Sequence, residues 1–185
     1  MIDDVLRQTE AKMKKSISVL ETELASIRTG RASASLVDHI TVDYYGNPTP
    51  LNQLATITVP EARVIAIQPW DKQTASPIEK AILKSDLGLN PVNDGTTIRL
   101  PIPLLNEERR KDLVKVVRRR IEDGKVAVRN VRRDGLESLR ALEKNKEISQ
   151  DEQKRAQDQL QKVTDTFVGQ ADVLGAKKEA ELMEV

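Results

Sequence analysis

The spacing of apolar residues separates three long stretches with a helical period from a middle stretch with a different texture. Over residues 1–28, Leu6, Met13, Ile17, Leu20, Leu24 and Ile27 recur at steps of three, four or seven, which places them on one narrow stripe of a helix. The "RTG" that follows predicts its end, with Arg28 in the last turn and Gly30 as a C-terminal cap. A second stripe comprises Leu113, Val117, Ile121, Gly124, Val128, Val131, Gly135, Leu139 and Leu142. It predicts a helix that opens at the cap Asn106, carries Glu107 and Glu108 at the positive end of its dipole and runs to about Lys146. At 1.5 Å of rise per residue, that helix is roughly 60 Å long. "SQDE", Ser149 to Glu152, reads as a capping box, and Ala156, Leu160, Val163, Phe167, Ala171 and Leu174 form a third stripe behind it.

From Arg31 to about Leu105 the pattern changes to short β-type runs between turn signals, and all eight prolines of the chain fall there. "HITVDYY", "LATITV" and "RVIAI" predict strands, "GNPTP" a turn or an edge, and "PEA" a connection. "SPIEKAILKSDLG" predicts a short helix with Ser76 as cap, Pro77 in the first position, Glu79 completing a capping box and Gly88 at the end. "NDG" predicts a hairpin-like turn into "TTIRLP".

Helices with stripes this narrow draw most of their stability from packing on one another. The expected fold class is therefore α+β: a long antiparallel three-helix bundle of residues 1–30 and 106–185, with a small domain, residues 31–105, inserted after its first helix. The chain crosses between the two near 29–31 and 101–105, and those crossings are the expected hinge. Gly124 and Gly135 each cost a helix about 1 kcal/mol relative to alanine. Both lie on the apolar face, where a missing side chain lets a neighbouring helix come close.

Composition agrees with this picture and removes several functions. Hydrophobic residues make up 38% and charged residues 32%, a balance suited to solvent-washed helices. The absence of cysteine excludes disulfides, thiolate zinc sites and a cysteine nucleophile. The first residues, "MIDDVLRQTEAKMKKS", lack the apolar core of a secretory signal. No run approaches the 18 or so apolar residues of a membrane span, so a cytoplasmic monomer with no membrane partner is expected. His39 is the single histidine and reads as structural or superficial; no phosphate loop, triad or HExxH motif occurs. Neither catalysis nor a cofactor or metal is expected. Trp70 is expected to be partly in the core, and of Tyr44 and Tyr45 one should pack inward.

Charge points to a site. The net charge is only +1, but residues 106–150 hold 14 basic against 9 acidic residues, while 151–185 hold 5 against 8. On the second helix Lys111, Lys115, Arg118, Lys125, Arg129, Arg132 and Arg140 share one line, with Arg133 beside it; only Glu122 and Leu136 interrupt. The line lies about a third of a turn from the apolar face. A solvated face would alternate signs, whereas the acids Asp112, Asp123, Asp134 and Glu137 lie on another edge. Arginine's planar fork suits phosphate oxygens. With aromatics at 2%, recognition would be of the backbone and shape of folded RNA, not of stacked bases. A coiled-coil adaptor meeting an acidic protein, a plain solvated face and an enzyme housed in 31–105 stay open as alternatives.

The stretches "SIRTGRAS", "YYGNPTPL", "SDLGLNP", "LLNEERRKDL", "VAVRNVRRD" and "KNKEIS" occur in this order along essentially the whole chain, and together they resemble the bacterial ribosome recycling factor family. The resemblance implies an L-shaped, tRNA-like molecule: a three-helix bundle and a small β/α/β domain on a two-stranded hinge. It implies binding to the post-termination ribosome and, with elongation factor G and GTP, its splitting into subunits so that messenger RNA and deacylated tRNA leave. The implied partners are large-subunit ribosomal RNA and elongation factor G, with no DNA. The family's RNA-contacting arginines correspond to Arg129, Arg132 and Arg133, with Arg28 and Arg31 near the hinge and Arg110 and Lys111 as further candidates. Its hinge corresponds to Gly30, Arg31, Pro101, Pro103, Leu104 and Leu105. Gly124 and Gly135 depart from the expected pattern of strong helix formers.

Overall fold

The computed structural model describes residues 1–184, so the last position of the expected bundle segment, 185, lies outside the described residues. Among the described residues four α-helices occur: α1 (Ile2–Ala25), α2 (Ala75–Lys84), α3 (Glu107–Lys144) and α4 (Gln150–Met183). Six strands lie between α1 and α3: β1 (Thr41–Tyr44), β2 (Asn47–Pro50), β3 (Ala55–Glu61), β4 (Val64–Pro69), β5 (Val92–Asn93) and β6 (Ile98–Pro101). The chain forms two compact units. One comprises Met1–Leu24 and Val114–Ala180; the other comprises Ala25–Leu113 and the chain from Glu181 on.

In the first unit the contacts of three glycines set the directions of the helices. Leu20 of α1 meets Gly124 of α3 and Thr9 meets Gly135, so α1 and α3 run antiparallel. Ile121 of α3 meets Gly175 of α4 and Leu160 meets Gly135, so α3 and α4 do as well. This is the expected bundle. Its seam on α4 passes through Gln153, Ala156, Leu160, Thr164, Phe167, Ala171 and Gly175, with Val163 and Leu174 on its flanks. Those steps of three, four and four close after eleven residues in three turns, a spacing that a nearly straight helix satisfies. Thr9 and Thr164 sit inside the seam because each hydroxyl donates to the carbonyl four residues back, Val5 at 2.7 Å and Leu160 at 2.8 Å.

The helix ends differ from expectation in detail. Helix α1 stops at Ala25, and Gly30 is not its left-handed cap: the left-handed glycines are Gly46, Gly88 and Gly95. Asn106 caps α3 as expected, its Oδ1 accepting from the Arg109 N–H at 2.7 Å. At the far end Lys146 adopts φ 59°, the Lys146 N–H donates to the Glu143 carbonyl, and the Glu147 N–H donates to that of Leu142. This is a Schellman termination in which a lysine occupies the usual glycine position. Ser149 then caps α4, accepting from the Glu152 N–H at 3.1 Å.

The second unit holds the β/α/β module. Strands β3, β4, β6 and β5 form an antiparallel sheet in that order, and β1 and β2 form a separate hairpin. Ile65 pairs with Leu100 and Ile67 with Ile98, all four fully buried, while the alternate residues of β6 face outward. Ile78 and Ile82 of α2, together with Leu36, Val37, Val42 and Leu51, belong to the same core. The hairpin turn is Tyr45–Gly46, with φ 49° and 84°, and "GNPTP" is mostly β2, the edge of its two expected alternatives. Pro48 and Pro50 are tolerated because β2 is paired on one side only. Ser76 does not cap α2. A turn of 3₁₀-helix, Lys72–Thr74, runs straight into it, and Asp71 is the residue that caps, accepting from the Gln73 N–H at 3.0 Å. The helix ends at Lys84, before Gly88. Tyr44 packs on the core and Tyr45 is exposed. Trp70 is 65% exposed, not core, because its indole N–H is held at the surface by Thr56 Oγ1 at 2.8 Å.

Candidate nucleic-acid interface

The basic line of the second helix divides into two when α3 is placed against α4. At 100° per residue, Arg118, Lys125 and Arg132 lean toward the buried face, while Lys115, Arg129, Arg133 and Arg140 point farther out. The leaning residues each find a partner on α4. Arg118 Nε meets Glu179 Oε1 at 2.9 Å, Lys125 Nζ meets Asp172 Oδ1, and Arg132 Nη1 donates to Gln161 Oε1 at 2.6 Å. The bond to Asp172 is the main cause that raises the Lys125 pKa above its ordinary value, so this ammonium stays charged and largely neutralised in place. Arg120, on the opposite flank, reaches Glu23 of α1 at 3.9 Å.

Among the described residues, Lys115, Arg129, Arg133 and Arg140 have no hydrogen bond or ion pair, and all four are exposed. Their charge is offered to solvent. An ordinary solvated face would show the i,i+4 pairing that Lys111 makes with Glu107 at 3.3 Å. Four unpaired cations along one line, with Arg132 held neutral-side-on beside them, form a ridge suited to several phosphates.

The remaining expected contacts are placed differently. Arg28 is partly buried and turned inward: its Nη1 donates to the Pro103 carbonyl at 2.8 Å. Burial, and secondly the neighbouring Arg109, lower its pKa from the ordinary value. Arg28 thus fastens one chain crossing to the other. Arg31 is exposed and lies 3.6 Å from Glu184. Arg110 is partly buried, with Nε enclosed and without a partner, and sits on the apolar side of the helix wheel.

The crossings meet at one place in the second unit. The Ala32 N–H donates to the Ala62 carbonyl at 2.8 Å and the Ile102 N–H to that of Arg63 at 2.7 Å, so both strands of the crossing are tied to the β3–β4 turn. A Cβ built at Gly30 would come within 4.0 Å of Leu104 Cδ2. Pro101 ends β6, Leu105 is buried and Leu104 is exposed. The bonds to Ala62 and Arg63 were not legible in the sequence, because nothing in "PEA" or "RVIAI" signals a backbone bond to a distant loop. Gln161, likewise, carries no signal in a sequence reading centred on charge.

His39 is exposed, 3.6 Å from Asp38. Among the described residues no group of three His, Asp or Glu could hold a metal, and no helix is long and apolar enough to cross a membrane.

Residues 20–183 match the family model described as ribosome recycling factor. The chain is 58% identical over 185 residues to the ribosome-recycling factor of Dehalococcoides mccartyi strain CBDB1, covering all of both. It is 55% identical over 184 residues to that of Oleidesulfovibrio alaskensis, again over the full length of both. Among solved structures, the solution structure of a ribosome recycling factor superposes with a TM-score of 0.77 at 43% identity, over 100% of this chain and 98% of that one. Another, of the T. thermophilus ribosome recycling factor with E. coli elongation factor G bound to the E. coli post-termination complex, gives 0.67 at 48% identity over all of both chains.

Proposed function

This chain belongs to the ribosome recycling factor family, and from that premise we propose that it binds the post-termination ribosome in the cytoplasm and, with elongation factor G and GTP, splits it into subunits. Messenger RNA and deacylated tRNA are thereby released. The protein is a translation factor and not an enzyme; GTP hydrolysis belongs to its partner. The ridge of α3 anchors the bundle on large-subunit ribosomal RNA through phosphates. The inserted module turns about the paired crossings near 29–31 and 101–105 when the partner pushes it, and the rod carries the force to the subunit contacts.

The observation that carries the RNA-binding reading is the set of exposed cations Lys115, Arg129, Arg133 and Arg140, unpaired along one line of α3, while Arg118 and Lys125 on its inner side are paired with carboxylates of α4. The test is binding to ribosomes and factor-dependent splitting by the double variant Arg129→Gln with Arg133→Gln. Affinity should fall at least about tenfold, since each lost contact is a charge-assisted hydrogen bond. The slope of log affinity against log salt should shrink by roughly 0.7 to 0.9 for each phosphate contact removed. Wild-type affinity and slope in the double variant would reduce the ridge to a solvated face.

A further inference from the structure

The cations that lean from α3 toward α4 receive partners of different charge. Arg118 and Lys125 meet carboxylates, those of Glu179 and Asp172, whereas Arg132 meets the neutral amide of Gln161. Gln161 is itself held: its Nε2 donates to Asp165 Oδ1 at 2.8 Å, one turn farther along α4. An ionised carboxylate only accepts. Asp165 therefore turns the amide so that its NH2 group faces the acid and its oxygen faces the guanidinium. On the other side, Arg132 Nε is buried without a partner, and its Nη2 carries no hydrogen bond among the described residues. The guanidinium is thus pinned along one edge, by enclosure at Nε and by the amide at Nη1, and its remaining donors are free.

We propose that Gln161 is a positioning residue for RNA recognition, holding the Arg132 guanidinium ready for a phosphate without cancelling its charge, and that Asp165 sets the orientation of the amide. This rests on the RNA-binding reading of the α3 ridge. A free arginine gives up rotamer entropy when it is fixed, and a side chain already fixed gives up less on binding. A carboxylate at position 161 would hold the guanidinium harder but would pair its charge, as Glu179 and Asp172 do for their partners. The neutral amide orients and leaves the charge in place. The order of partners met along α3, two acids and then an amide, accordingly concentrates unpaired positive charge between Arg129 and Arg140.

The experiment measures affinity for large ribosomal subunits, with thermal melting alongside, for Gln161→Ala, Gln161→Glu, Arg132→Ala and the double variant Gln161→Ala with Arg132→Ala. Gln161→Ala should bind about three- to tenfold more weakly, the effect of one exposed hydrogen bond to a charged group, with its melting temperature unchanged. Gln161→Glu should also bind more weakly. In the Arg132→Ala background, Gln161→Ala should add no further loss. An equal loss in both backgrounds would overturn the proposal, since Gln161 would then act independently of Arg132. So would wild-type affinity in Gln161→Ala, or in Gln161→Glu, while Arg132→Ala is impaired. If Arg132→Ala itself binds like the wild type, the assignment of Arg132 to the RNA site fails first, and the positioning role goes with it.

Discussion

At the scale of single residues, the bundle is organised by positions where a side chain is missing. A Cβ at Gly135 would stand 2.8 Å from Thr9 Oγ1 and 3.2 Å from Leu160 Cδ2, and Thr9 is pinned by its own bond to Val5. Gly124 faces only the ends of the Leu20 side chain, which can shift. Gly169, in the interior of α4, has nothing within 4 Å and faces solvent. The same substitution should therefore have opposite signs at two sites. Gly169→Ala should stabilise by up to about 1 kcal/mol, the difference in helix propensity. Gly135→Ala should destabilise by about 1 kcal/mol, because overpacking of 1–3 kcal/mol outweighs that gain. Urea unfolding of both variants checks this, and a stabilised Gly135→Ala would contradict the close packing of all three helices there. The packing role of Gly124 and Gly135 was legible from their place on the apolar stripe. Gly175, where a Cβ would stand 2.8 Å from Ile121 Cγ1, was not, because it falls beside the aliphatic residue Leu174, which a stripe of hydrophobic residues selects instead.

At the scale of elements, caps and turns decide where each helix starts and stops. Asn106 and Ser149 act as their spacing predicts, because side-chain capping is a local interaction within three residues. The end of α3 is local too, but it places Lys146 at φ 59°, a conformation that costs a non-glycine residue roughly 1 kcal/mol. Lys146→Gly should raise stability by about that amount while leaving ribosome binding unchanged, and equilibrium unfolding beside a binding assay tests both halves. A destabilised variant would mean that the lysine side chain offsets its strain through contacts elsewhere. Ser76 has the sequence of a cap and is none. Asp71 begins the helical path five residues earlier, through a 3₁₀ turn that has no distinctive sequence mark. The basic line on α3 belongs to this scale as well. Its existence follows from spacing alone, whereas its division into paired and unpaired members depends on which face α4 covers.

At the scale of the whole molecule, recycling as proposed requires the bundle to hold the ribosome and the inserted module to move. The chain enters and leaves the inserted module through the two crossings, and Arg28, Ala62 and Arg63 bind those crossings to one another and to the β3–β4 turn. A Cβ at Gly30 would lie 4.0 Å from Leu104 Cδ2, and Gly30 has no left-handed backbone that would forbid a side chain. A pair of cysteines, Gly30→Cys with Leu104→Cys, would form the single disulfide of a chain that otherwise has no cysteine. Oxidised, this variant should bind ribosomes within about twofold of the wild type, because the ridge is untouched. Its factor-dependent splitting should fall sharply and return on reduction; unimpaired splitting when oxidised would remove these crossings as the hinge. What the sequence determined by itself was periodic or local: three amphipathic helices, an inserted β/α/β module, the N-caps of the second and third long helices and a basic line on the second long helix. Periodicity and capping act within a turn or two of the chain, so they can be read without coordinates. Only the tertiary structure decided which cations stay unpaired, that Arg28 fastens a loop, that Trp70 lies at the surface and that an uncharged glutamine holds Arg132. Each of those depends on residues far apart in sequence, brought to hydrogen-bonding distance by the packing of one element on another.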